Sequence, residues 1–213
     1  GKKIKTNKNF DDFTAKLRQK SVINSLRDYI RWQRKLRAGK AGVIGFSSVP
    51  KFGPVFINLA LTTGCTFRCP YCVDIKVINR GKFFTYKQVI NFIDVLVRHG
   101  LKSVLLIGGG EPTLHPDFEK VVRYLKKKKM QVGVVTNGSF MEKIIAVADV
   151  LGKGDWVRLS VDAGTNKTFE KLHRPVIGIT LDKICKNVAK LKKKNKNLSV
   201  GYSYVIIWKG IKI

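Results

Sequence analysis

The stretch "GCTFRCPYC" (residues 64–72) gathers three of the chain's four cysteines in the pattern Cys65-x3-Cys69-x2-Cys72. Thiolates are soft ligands, and close spacing lets one short loop wrap a metal ion or cluster. Two occupants compete. A structural zinc ion needs four tetrahedral ligands, and the fourth has to come from Cys185, His99, His115 or His173, none of them near in sequence. Cys185 falls on the apolar face of a predicted helix and reads as a buried, inert thiol. A four-iron cluster is normally held by four thiolates. Three thiolates leave one iron without a protein ligand, and an open coordination position, as at catalytic zinc, is where a substrate or cofactor binds.

Other candidate segments end apolar runs. "GGGEP" (residues 108–112) follows "SVLLI", "TNG" follows "QVGVV", and "SVDAG" follows "DWVRL". Gly109 and Gly110 let backbone approach a ligand closely, and Glu111 brings a carboxylate. Alone, the segment reads equally as a tight turn into a helix. Thr136 and Asn137 carry hydrogen-bonding groups or form a plain Asn-Gly turn. Ser160 and Asp162 stand two apart, so they project to the same side of a strand. Asp162 alternatively caps the next turn.

The elements that position these segments alternate. Residues 55–62, 103–110, 131–138, 155–164 and 198–207 read as apolar strands with their tips. Between them, residues 85–100, 115–129, 139–152 and 180–194 show helical spacing. The first places Val89, Ile90, Ile93, Val95 and Leu96 at helical positions, with Gly100 as a stop. The second starts at Pro116. The last places Leu181, Ile184, Cys185, Val188 and Leu191 on one face. Apolar strands alternating with amphipathic helices form a parallel α/β sheet, and ligands collect at the C-terminal ends of its strands. Residues 1–54 differ. They read as a basic extension of one or two amphipathic helices, with Ile23, Leu26, Tyr29 and Ile30 on one face and an end near the glycines of residues 39–45.

With 213 residues and 44% apolar content the chain suffices for one domain with a core. No apolar run approaches the ~18–20 residues of a membrane span, and the first residues show no signal-peptide pattern. The cysteines do not form a disulfide framework, which fits a reducing, cytoplasmic setting. The net charge of +28 favours anionic partners such as RNA or an acidic peptide. The lysine runs at residues 126–129 and 190–196 also read as solvated helix ends that suit the helix dipole.

The three-cysteine pattern, with Tyr71 just before its last cysteine, resembles the signature of the radical S-adenosylmethionine (SAM) superfamily. That family carries the signature on the loop after the first strand of a partial (β/α)6, TIM-like barrel. "GGGEP" resembles its Gly-Gly-Glu motif, and "TNG" and "SVD" stand in register with it. The resemblance covers roughly residues 55–207. It implies that Cys65, Cys69 and Cys72 bind three irons of a 4Fe–4S cluster and that SAM chelates the fourth. One electron then cleaves SAM to methionine and a 5′-deoxyadenosyl radical, which abstracts hydrogen from a substrate. It further implies that Gly109, Gly110 and Glu111 receive the SAM amino group, Glu111 through a charge-assisted bond. Asn137 would bond SAM or substrate. Ser160, and after it Asp162, would lie near the SAM ribose and carboxylate. Tyr71 would pack beside adenine or cluster. Arg174 in "LHRP" resembles a basic residue placed on the SAM carboxylate, or is a surface arginine. Arg68 tunes the potential or faces solvent.

The chain departs from the family pattern after the fifth strand. A sixth strand, the fifth-strand glycine motif and a cysteine-rich extension are not found. The expected organisation is therefore an extension at 1–54 and an incomplete core at 55–213. Expected partners are SAM, a peptide or cofactor precursor as substrate, and an electron donor such as flavodoxin or ferredoxin. RNA modification and a non-catalytic iron–sulfur fragment stand as alternatives.

Overall fold

The computed structural model describes residues 20–38, 53–175 and 178–205. The chain groups into two compact units, residues 1–55 with 96–102 and residues 56–95 with 103–213. In the first, helix α1 (Lys20–Arg37) leaves Ile23 and Leu26 half-buried and Tyr29 and Ile30 exposed. The expected glycine-rich end at residues 39–45 and the segment after residue 205 lie outside the described residues. Among the described residues, no helix is long and apolar enough to cross a membrane.

The second unit holds a five-stranded sheet of β1 (Phe56–Leu59), β2 (Ser103–Leu106), β3 (Gln131–Thr136), β4 (Trp156–Ser160) and β5 (Ser199–Ser203). Every pairing is parallel and the spatial order is β1-β2-β3-β4-β5. Strands laid in chain order without reversal wind toward a barrel rather than a doubly wound sheet. Among the described residues the sheet is open, with β1 and β5 as its edges. All strand tips point to one end.

Helices α2 (Tyr86–Arg98), α3 (Phe118–Lys127), α4 (Met141–Ala146), α5 (Asn166–His173) and α6 (Leu181–Lys194) fill the crossovers. Each buries a stripe. Val89 and Ile93 do so from α2, while Val95 is exposed. Phe118, Val121, Val122 and Leu125 come from α3, and Leu181, Ile184, Val188 and Leu191 from α6. Each fully buried Leu, Val, Ile or Phe contributes roughly 1.5–3 kcal/mol.

Three local readings are corrected. Pro116 does not open α3. A 3-10 turn at Pro112–Leu114 intervenes, because Glu111 caps Thr113, and α3 begins at Phe118. Helix α5 is absent from the sequence reading, although Thr165 caps it by accepting the Thr168 N–H. Cys185 is exposed. The buried stripe of α6 runs through 181, 184, 188 and 191, and one residue past Ile184 is a turn of about 100° out of it.

In the lysine run at the end of α3, Lys126 and Lys128 are less solvated than expected. Lys126 pairs with Asp155 at 2.7 Å, and Lys128 with Asp94 at 2.7 Å. The Asp155 side chain, 1% exposed, also accepts the Val132 and Gly152 N–H groups, tying the start of β4 to β3.

Gly133 of β3 stands in register with Trp156 of β4. A Cβ there would lie 2.7 Å from the indole and 2.9 Å from Leu105 Cδ1. Gly133→Ala is expected to overpack the sheet and cost about 1–3 kcal/mol, read as a lowered melting temperature with unchanged far-UV circular dichroism.

Candidate active site

The site lies at the strand tips, on the loop after β1. That loop is closed at its base by the Thr62–Phe83 bridge and by Thr63 N–H donating to Lys82 O at 2.8 Å. Asn79, with a left-handed φ of 59°, donates its N–H to Thr63 O and accepts the Cys65 N–H on Oδ1 at 2.8 Å. The short spacing is folded by Cys72 N–H donating to Cys69 O. Phe67, between the first two cysteines, is 2% exposed and anchors the loop edge-to-face on Phe169 of α5.

The glycine segment packs directly beneath. Glu111 N–H donates to Gly64 O at 2.8 Å. A Cβ on Gly110 would sit 2.2 Å from that same oxygen, so no side chain fits. Gly108 and Gly109 lie at φ 83° and 67°, where glycine alone is unstrained.

Glu111 is 2% exposed and turned into the protein. Its Oε1 accepts Thr113 N–H (3.1 Å), Thr113 Oγ1 (2.6 Å) and Thr136 Oγ1 (2.7 Å), and Oε2 accepts Asn137 N–H (2.6 Å). Burial pushes its carboxyl above the usual range, against the opposing pull of the bonds from Asn137, Thr113 and Thr136. The residue clamps the β2 tip to the β3 tip. Asn137 in turn reaches the cysteine loop, donating from Nδ2 to Thr66 Oγ1 at 3.2 Å and standing 3.8 Å from Cys65 Sγ. Ser139 pairs with both Thr66 and Asn137.

The far wall comes from β4 and α5. Tyr71 OH donates to Asp162 Oδ2 at 3.0 Å, and Val205 N–H to Oδ1 at 2.8 Å. Asp162 holds a left-handed φ of 48° to do so. His173 Nε2 donates to Val161 O at 2.7 Å, which leaves Nδ1 as acceptor 3.2 Å from Cys69 Sγ. In the metal-free chain the Cys69 thiol is therefore the donor. Burial lowers the His173 pKa, keeping the ring neutral. Burial and the Asp162 charge push the Tyr71 phenol up.

Cys65, Glu111 and Asn137 are thus joined beneath the loop, and Cys69, Tyr71 and Asp162 are joined at the wall through His173. Ser160 ends β4 half-exposed, in register with Ser203. Arg174 is an exposed helix cap at φ 45°, and the Arg68 side chain is exposed. Asn79 and Phe67 are absent from the sequence reading, and of the histidines weighed there as a fourth ligand it is His173 that stands beside Cys69. The left-handed asparagine before Arg80 and Gly81 was the available signal.

Burial, then the charges of Cys65 and Cys72, push Cys69 up to about 12, and burial is also the largest cause raising Cys65. Thiols that resist ionisation in each other's presence need a cationic group to become thiolates. Among the described residues, no three His, Cys, Asp or Glu side chains are gathered tightly enough for one metal ion. Three mutually coupled thiols beside a side-chain-free glycine segment fit a larger cationic cluster.

In the metal-free chain at pH 8, alkylation followed by peptide mass mapping is expected to modify exposed Cys185 first and Cys69 slowest, with the Cys69 rate rising as pH climbs toward 12. Glu111→Gln places an amide donor against donors that now have no acceptor. It is expected to cost about 1–3 kcal/mol in urea denaturation without any added ligand.

Residues 59–207 match the family model of the Radical SAM superfamily. The chain is 32% identical over 114 residues to an S-adenosylmethionine-dependent nucleotide dehydratase of Selenomonas ruminantium, covering 53% of this chain and 41% of that protein. It is 29% identical over 148 residues to a probable GTP 3′,8-cyclase of Pyrococcus horikoshii, covering 68% and 46%. The fold is similar to that of Streptococcus suis SuiB bound to precursor peptide SuiA (TM-score 0.58, 18% identity, 88% of this chain and 39% of that one). It is also similar to anSMEcpe with bound AdoMet and Cp18Cys peptide (TM-score 0.52, 21% identity, 68% and 41%). The chain spans less than half the length of these relatives. The shared architecture is a TIM-like barrel, of which the described sheet is an open part. The family match runs from the β1 tip across the whole site, and the chain belongs to the radical SAM superfamily, a family of enzymes.

Proposed function

We propose that this chain is the catalytic core of a radical SAM enzyme, with a 4Fe–4S cluster on Cys65, Cys69 and Cys72 and SAM against Gly109 and Gly110. The observation that carries the reading is the three-thiol loop packed backbone to backbone on a glycine segment, Gly64 on Gly110. When bound, the pair supplies a 5′-deoxyadenosyl radical that takes hydrogen from a substrate. The protein's own work is placement. Asn79 fixes the Cys65 backbone, and His173 and Phe67 fix the stretch carrying Cys69. Glu111 and Asn137 hold the β2 and β3 tips beneath the loop, shaping the floor from inside. Tyr71 and Asp162 close the wall toward β4, with Ser160 and Arg174 at the rim toward the SAM ribose and carboxylate.

The substrate is a peptide or a cofactor precursor. Sequence relatives named for nucleotide chemistry support the second, and structural relatives with bound peptides the first. The +28 charge supports an anionic partner, RNA included. An external carrier such as flavodoxin or ferredoxin supplies the electron, and the reduced thiols suit a cytoplasmic setting.

Anaerobic reconstitution with iron and sulfide, then dithionite and SAM, is expected to yield 5′-deoxyadenosine by chromatography, with the Cys69→Ala chain at background. A brown, cluster-bearing protein that forms none is the outcome against catalysis by this chain alone.

A further inference from the structure

Large hydrophobic side chains left in water are normal when scattered singly, whereas a group of them marks a contact surface. Of the twelve exposed large hydrophobic side chains among the described residues, five fall within residues 73–84: Val73, Ile75, Val77, Phe83 and Phe84. Val73, directly after Cys72, is 96% exposed. Ile75 N–H donates to Cys72 O, and the Val77 and Ile78 N–H groups both donate to Asp74 O, so the chain winds in successive turns here. That winding buries Ile78 and leaves Val73 and Val77, four residues apart, facing outward. The two halves of the segment are tied together at Thr63, which donates its N–H to Lys82 O and accepts the Asn79 N–H.

The same stretch is cationic. Across residues 65–85 Arg68, Lys76, Arg80 and Lys82 are all exposed, and the single acid, Asp74, is engaged by the Gly109 N–H at 3.1 Å. Apolar side chains among exposed charges have the anatomy of a protein–protein contact, and the sign of the charge selects an acidic partner. Position selects among acidic partners. A protein seated on Val73 is one residue from Cys72. The chain's remaining cysteine, Cys185, is a lone exposed thiol and cannot hold a relay cluster. Within this chain, an electron bound for the cysteine loop therefore enters from a separate protein, and the loop's own exposed face is the short route.

We propose that the exposed face of residues 73–84 is the docking surface of an acidic one-electron carrier protein. The assignment rests on the radical SAM reading. The carrier's reduced cofactor loses one electron, the cluster gains it, and no bond forms or breaks. Val73 and Val77 supply apolar contact, while Lys76 and Lys82 steer the encounter. Electron-transfer contacts of this kind bury less than about 1,200 Å², which suits a carrier that must leave after each delivery.

The test uses the full chain with flavodoxin and ferredoxin as probes. Variants are Lys76→Glu, Val73→Ser and, as a control of equal charge change on α6, Lys186→Glu. Binding of the oxidised carriers is measured by calorimetry on the metal-free and the cluster-loaded chain. Formation of 5′-deoxyadenosine is then driven either by reduced carrier or by dithionite. The expected result is carrier binding weakened about tenfold in Lys76→Glu and about threefold to tenfold in Val73→Ser, with Lys186→Glu like the parent. The carrier-driven rate falls in step, and the dithionite-driven rate holds. Equal weakening in Lys76→Glu and Lys186→Glu overturns the assignment, since the overall charge would then do the attracting. So does a parent chain that binds neither carrier, or a dithionite-driven rate that falls with the carrier-driven one; the proposed function survives each of these. A cluster-loaded parent that forms no 5′-deoxyadenosine even with dithionite overturns the proposed function and this assignment with it.

Discussion

The buried carboxylate of Glu111 is the constraint on which the site depends. Its backbone N–H is committed to Gly64 and its oxygens to Thr113, Thr136 and Asn137. One residue therefore fixes three loops from three strands: the cysteine loop after β1, its own turn after β2, and the tip of β3. A charged group is costly to bury unless it is hydrogen-bonded, and here the donors come from the tips of β2 and β3. Satisfying the buried charge is what brings the strand tips into registration.

A second wall repeats the logic with different chemistry. Asp162, strained into a left-handed backbone, accepts from Tyr71 of the cysteine loop and from Val205 beyond β5. Such a conformation is costly for a non-glycine residue and persists where the surroundings over-determine it. His173, locked by Val161, stands against Cys69. The first cysteine of the pattern thus sits near the floor and the middle one near the wall.

The strands and their tips were legible in sequence because burial on both faces leaves continuous apolar runs, as in "SVLLI" and "QVGVV". The grouping of Cys65, Cys69 and Cys72 on one loop was legible because eight residues hold all three, and soft ligands so crowded are what a shared metal centre requires. The direction of side chains was not. Glu111 reads as an available carboxylate until the approach of Thr136 and Asn137, about 25 residues on, turns it inward. The Cys69–His173 contact spans 104 positions, and no local pattern encodes it. Cys185 shows the limit of periodicity itself, since a helical stripe read one residue too wide puts an exposed thiol in the core.

The unbroken order of the sheet, β1 to β5, carries a consequence for biosynthesis. Each strand pairs with the one made just before it, so the sheet can grow outward as the chain leaves the ribosome, with one fresh edge at a time. The cysteine loop belongs to the first of these additions, whereas its floor arrives with β3 and its wall with β4 and α5. The thiols therefore emerge bare and stay open to solvent until His173, 104 positions after Cys69, has been translated and folded against them.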